Sequence, residues 1–175
     1  MNTMMLRRTA AIVTVAAVTL GSQALAETPR QTRLTGLIHD YTAALDAAGP
    51  WQVVGEWSLT VNNASGKVDF IASLSMVRSE SAVRSAHTHH VRLSDGDVTV
   101  LANGYRISGT ATFTSNGNLA GFSGSPIEIE VTGGSAVSLA NMAVTFGGAA
   151  AVHFGAEPLT GVVTLRRGRG GVEGT

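Results

Sequence analysis

Residues 57–76, WSLTVNNASGKVDFIASLSM, decide the fold class. Trp57, Leu59 and Val61 alternate with Ser58, Thr60 and Asn62; after a turn at 62–66, Val68, Phe70, Ala72, Leu74 and Met76 resume the alternation. A period of two places the apolar side chains of each run on one face, and the glycine-containing turn between them makes the pair a β-hairpin. Outward from this hairpin, further strands read at 87–93, 98–101, 105–113, 127–131, 137–146, 151–154 and 161–165. Gly96, Gly104, Asn116-Gly117, Gly133-Gly134, Gly147-Gly148 and Gly155 separate them, as tight turns require.

One segment reads differently. Leu34, Leu37, Ile38, Tyr41, Leu45 and Ala48 recur at spacings of three and four before Gly49-Pro50, which predicts an amphipathic helix over 31–48 packed across a barrel mouth or a sheet. The expected fold is therefore all-β, a small antiparallel β-barrel or β-sandwich with one N-terminal helix. A barrel closes such strands without leaving exposed edges, and so is the more economical of the two. A single domain over 27–165 is expected, with 166–175, rich in Arg and Gly, as a solvated flexible tail.

The first 26 residues read as an export signal. Arg7 and Arg8 form a positive n-region, 9–20 are apolar, and Ala24-Leu25-Ala26 supplies the small-x-small pattern of a cleavage site. The apolar run is too short for a stable membrane anchor, which needs about 20 residues. Cleavage after Ala26 would leave a secreted or periplasmic protein. Arg7-Arg8 also admits a twin-arginine reading, in which the chain folds before export.

Without Arg7 and Arg8 the chain keeps 12 − 2 = 10 basic residues against 12 acidic ones, a balance with no call for nucleic acid or an anionic membrane surface. The chain has no cysteine. An exported domain without disulfides must be held by its core, and any metal site must be built from His, Asp and Glu.

The chemistry concentrates in Ala86-His87-Thr88-His89-His90, which holds three of the five histidines. On a strand, His87 and His89 project with Val91 and Leu93, while His90 and Arg92 point the other way. Two imidazoles about 7 Å apart on one face can share a metal ion. His153, within the apolar segment 149–154, is the candidate third ligand. Glu56, Asp95 and Asp97 are the nearest carboxylates in sequence. Three neutral imidazoles plus water suit zinc, with copper or iron as the other divalent choices. His90 and Tyr105 are candidate contacts for a small-molecule ligand or substrate, Tyr105 because a buried hydroxyl needs a partner. Arg78, Arg84 and Arg106 could bind a carboxylate. His39 reads as a solvated bystander.

The run Ala86-His87-Thr88-His89, following Ser65-Gly66 and the alternating strand 68–76, resembles CHRD-domain proteins, extracellular β domains with an Ala-x-His-x-His-like element after a Ser-Gly-led strand. The resemblance covers about residues 55–101, and His90-Val91-Arg92-Leu93 stands where that family has a glycine-rich stretch. It implies an exported β domain. His87-x-His89 also matches the start of a cupin metal motif, without the expected Glu or the spacing to the next His.

The functional expectation is an exported β-barrel with an interior histidine site for a divalent metal, able to support metal-assisted hydrolysis, lyase or isomerase chemistry on a small molecule. The alternatives are a non-enzymatic small-molecule carrier and a structural or adhesive secreted module.

Overall fold

The computed structural model describes residues 30–43, 49–78, 86–116, 122, 124–133 and 140–169; the export signal and residues 44–48 of the expected helix lie outside them. Among the described residues, nine strands and one helix follow in the order β1 (Gln31–Tyr41), β2 (Gln52–Asn62), β3 (Val68–Val77), β4 (His87–Ser94), β5 (Asp97–Leu101), β6 (Gly104–Ser115), β7 (Ser125–Thr132), β8 (Asn141–Phe146), α1 (Gly148–Phe154) and β9 (Leu159–Arg169). All paired strands are antiparallel. The sheet runs β4-β3-β2-β1-β9-β8-β7-β6-β5, and a further β4–β6 pairing closes every strand except β5 into a ring. The fold is thus an eight-strand barrel, with β5 paired on the outside against the first half of β6.

The 57–76 hairpin forms as its alternation requires, with Trp57 facing Ala72, Leu59 facing Phe70 and Val61 facing Val68 across the β2–β3 ladder. Its apolar face lines the barrel interior, where Leu59, Phe70, Leu74 and Met76 are buried together with Ile38, Leu93, Ile107, Ile129, Met142 and Leu159. Eight strands leave an interior just wide enough for side chains to fill. The outward positions mix polar residues, among them Ser58, Thr60, Ser73, Ser75, Arg92 and Glu128, with the exposed apolar Leu37, Val54, Ile71, Val162 and Leu165.

Residues 31–41, expected as the start of a helix, are instead strand β1, paired with β2 on one side and β9 on the other. The spacing Leu34–Ile38 fits both periods, since four residues is one helical turn and also two strand repeats. The burial pattern resolves the ambiguity. Thr32, Leu34, Gly36 and Ile38 point inward while Leu37 and Tyr41 are exposed, and the β-branched residues Thr32, Thr35 and Ile38 favour the extended backbone. Gly36 is required where it stands: a Cβ there would lie 2.7 Å from the Trp57 ring and collide with the Val162 carbonyl, beside a register shift between Thr35 and Gly36.

The second correction concerns 151–154, expected as a strand but found in the last turn of α1. Ala149, Ala150 and Ala151 favour helix, and the segment is too short for its own periodicity to declare this. The third concerns the tail, because Arg166 and Arg167 continue β9 and pair with Leu34 and Arg33 of β1.

Candidate metal centre

β4 supplies the first two imidazoles. Its alternation carries His89, Val91 and Leu93 into the interior, each fully buried, with half-buried His87 at the strand end and His90 and Arg92 outside. Across the ladder, His87 stands opposite Met76 and His89 opposite Leu74 on β3, while the closing β4–β6 seam sets His89 against Ser115.

The third imidazole arrives from α1, which closes the barrel mouth at this end. Its face is set by Ala150 and Phe154, both buried. Phe154 packs against Phe146 of β8 at a centroid distance of 4.5 Å and against His89 of β4 at 5.1 Å. The buried Ser125 hydroxyl accepts a hydrogen bond from the Ala150 amide at 3.3 Å, and the Gly147 amide donates to the Pro126 carbonyl at 2.8 Å. Gly148 and Gly155, with φ of 56° and 94°, let the chain enter and leave this turn in a conformation costly for other residues. So fixed, the last turn aims His153 at β4.

The three imidazoles converge. His153 Nε2 lies 3.1 Å from His87 Nε2 and 3.0 Å from His89 Nε2. One ligating nitrogen from each ring falls within 4.8 Å of the other two. A tetrahedral zinc with bonds of about 2.1 Å separates its nitrogen ligands by about 3.4 Å. The group therefore could hold a metal ion.

A purely hydrogen-bonded arrangement accounts for this geometry less well. The Nε2 of a neutral imidazole carries either one proton or one in-plane lone pair, so His153 Nε2 makes one good hydrogen bond and not two. Protonation is resisted: burial and the neighbouring His153, His87 and His90 push His89 down to about 4, and burial with the nearby His87 brings His153 to about 4. Neutral rings leave their lone pairs available to a metal.

Aromatic rings form the surroundings. Trp51 meets His87 edge-on at 5.1 Å, Phe122 stacks on His153 at 5.0 Å, and the Arg78 guanidinium lies 4.3 Å over the Trp51 ring. Trp51 is anchored by reciprocal bonds to Thr42, its amide donating to the Thr42 hydroxyl at 3.0 Å and its carbonyl accepting from the Thr42 amide at 2.9 Å. His89 Nδ1 is buried without a hydrogen-bond partner. A metal-bound imidazole usually donates its second N–H to an oxygen that makes the ligand more basic; lacking this, His89 would leave a bound metal more electrophilic.

The other candidates lie elsewhere. His90 is exposed on the outer face, its Nδ1 2.9 Å from the Ser73 hydroxyl. Tyr105 points inward but lies ten residues along β6 from Ser115, the partner of His89, which is about 33 Å of strand; its hydroxyl donates to Thr32 Oγ1 at 3.4 Å. Glu56 and Asp97 are exposed, and Asp95 pairs with Lys67 at 3.0 Å. Arg106 pairs with Glu130 at 2.8 Å, and Arg84 lies outside the described residues. His39 is exposed on the outer face of β1, where its Nε2 accepts from the Gln52 side-chain Nε2 at 2.9 Å. Trp51, Phe122 and Phe154 carried no signal in the sequence, since none belongs to a periodic run that ends at the histidines.

No protein-family model matches the chain, and comparison with curated proteins and with solved structures finds no significant match.

Proposed function

We propose that the protein is exported through residues 1–26, cleaved after Ala26, and binds one divalent metal ion through His87, His89 and His153 at the closed mouth of its barrel. The observation that carries this reading is the convergence of three Nε2 atoms from two separate elements, with contacts of 3.0 and 3.1 Å to His153 that one proton cannot satisfy. Three imidazoles leave a coordination position open, the arrangement of catalytic and not of structural zinc. Zinc is the favoured ion, with copper and iron as the alternatives to be compared. A zinc ion held there would supply Lewis-acid chemistry and would lower the pKa of a bound water towards neutral. The reading extends to metal-assisted hydrolysis, lyase or isomerase chemistry on a small molecule.

The test is elemental analysis of protein purified without a histidine tag and reconstituted in turn with zinc, copper and iron. About one equivalent is expected for the preferred metal; less than about a tenth of an equivalent with all three overturns the reading, since three converging imidazoles should retain such an ion. Chelator-sensitive turnover of small esters is the companion measurement for catalysis.

A further inference from the structure

We infer that a groove on the outer face of the barrel, along β8, binds a small organic monocation with an apolar body, its ammonium at Glu128 and Glu130 and its body on Leu37 and Val162. The groove lies on the side wall and uses none of the three histidines, so this ligand is independent of the metal reading.

Side-chain size sets the shape. Ala143 and Thr145, outward on β8, are short, whereas β7 on one side and β9 with β1 on the other carry larger groups. The trough between them has a volume of about 790 Å³, within the range of small-molecule sites. The register sets its walls against each other. Glu128 and Glu130 pair with Thr145 and Ala143, Ala143 pairs in turn with Thr160, and Val162 stands opposite Leu37. β7 and β9 are two strand spacings apart, about 10 Å, which a ring carrying a short amine chain can span. Asp40 fixes the far rim by accepting from both the amide and the hydroxyl of Thr160, each at 2.7 Å.

Charge decides the sign of the ligand. The β7 wall sets two carboxylates against one guanidinium, that of Arg106, which pairs with Glu130. Both hydrogen bonds from Arg106 fall on Oε2, which leaves Oε1 to accept from another donor. Glu128 stands between Ser108 of β6 and Thr145 of β8, neither of them charged, so the wall carries one net negative charge. Among the described residues no lysine or arginine lines the groove, and the sequence of the 133–140 connection between β7 and β8 contains no charged residue. A monocation balances this wall, and the three N–H groups of a primary ammonium suit its carboxylate oxygens. The opposite wall is apolar. Leu37 and Val162 are 48% and 38% exposed, and covering them favours a ligand with a hydrocarbon body. A bare inorganic cation satisfies only the first wall.

The probe is 2-phenylethylammonium, titrated into the full chain in the presence of chelator and followed by amide chemical shifts. The comparators are 2-phenylethanol, 3-phenylpropionate and methylammonium. The probe is expected to bind at least about fivefold more tightly than each comparator, about 1 kcal/mol and the upper range for an exposed ion pair, with the largest shifts at Ala143, Thr145 and Thr160. Glu128→Gln should weaken it several-fold, and Ala143→Leu, which fills the trough from an outward position, should abolish measurable binding. Glu128→Gln, at an exposed residue, keeps the test decisive if Ala143→Leu fails to fold. Absence of binding, equal affinity for 2-phenylethanol or methylammonium, shifts confined to other faces, or wild-type affinity in either variant overturns the inference.

Discussion

Replacing His153 by alanine tests whether α1 delivers a metal ligand or only a plug. The side chain contacts the other two imidazoles at 3.1 and 3.0 Å, so its loss removes one of three protein ligands and leaves the Ala150 and Phe154 contacts of the helix in place. Structural zinc sites bind with about 10–16 kcal/mol, which over four ligands is about 2.5–4 kcal/mol each, or about 10²–10³ in affinity. At a free zinc concentration about 100 times its Kd, the wild-type protein should gain about 2.7 kcal/mol of stability; the variant, with a Kd at least 100-fold weaker, should gain about 0.4 kcal/mol or less. For a domain of this size the wild-type gain corresponds to a rise in Tm of about 5–10 °C, against about 1 °C for the variant. The assay is thermal unfolding of each protein with zinc and with chelator. His90→Ala serves as the control, because His90 is exposed and engages Ser73 on the outer face. A His153→Ala variant whose zinc-dependent shift equals that of the wild type would refute the reasoning, as would a loss in His90→Ala equal to that in His153→Ala.

Three further outcomes follow from the same geometry. In the metal-free protein, His89 and His153 are held near 4 against 6.5 for an ordinary imidazole. The unfolded chain then takes up protons first as the pH falls, so stability should decline from about pH 6.5 to about pH 4 and be flat above; buried His89 alone contributes on the order of 3 kcal/mol. Equal denaturation midpoints at pH 7 and pH 4.5 in the presence of chelator would contradict this. Phe154→Ala should cost about 3–5 kcal/mol in chemical denaturation, because it opens a cavity between the α1 plug and the Phe146 and His89 rings, and should also weaken zinc binding; a loss under about 1 kcal/mol would show that α1 does not close the mouth. Gly36→Ala should destabilise by about 1–3 kcal/mol, since its Cβ meets the Val162 carbonyl and the Trp57 ring, and a neutral result in the same assay would mean that the β1–β9 irregularity relaxes freely.

Much of the barrel was legible because strand alternation is a local property. The run from Trp57 to Met76 declares its buried face with no knowledge of its partners, and the same rule sends His87 and His89 inward and His90 outward. At Leu34 and Ile38 the rule failed for a definable reason: a spacing of four satisfies both periods, and only pairing with β2 and β9 selects the strand. Likewise Ala149 to Phe154 carries no period of its own, so its helix depends on Ala150 and Phe154 finding the barrel mouth.

By itself, then, the sequence determined an all-β chain with two imidazoles on one apolar strand face, because both follow from neighbours one and two residues away. The tertiary structure decided that the sheet closes through β4 and β6, that 31–41 joins the wall, and that His153, 64 residues from His89, becomes its neighbour. Those outcomes depend on long-range pairing and on packing in the buried core, where contacts are made by residues that no local pattern relates.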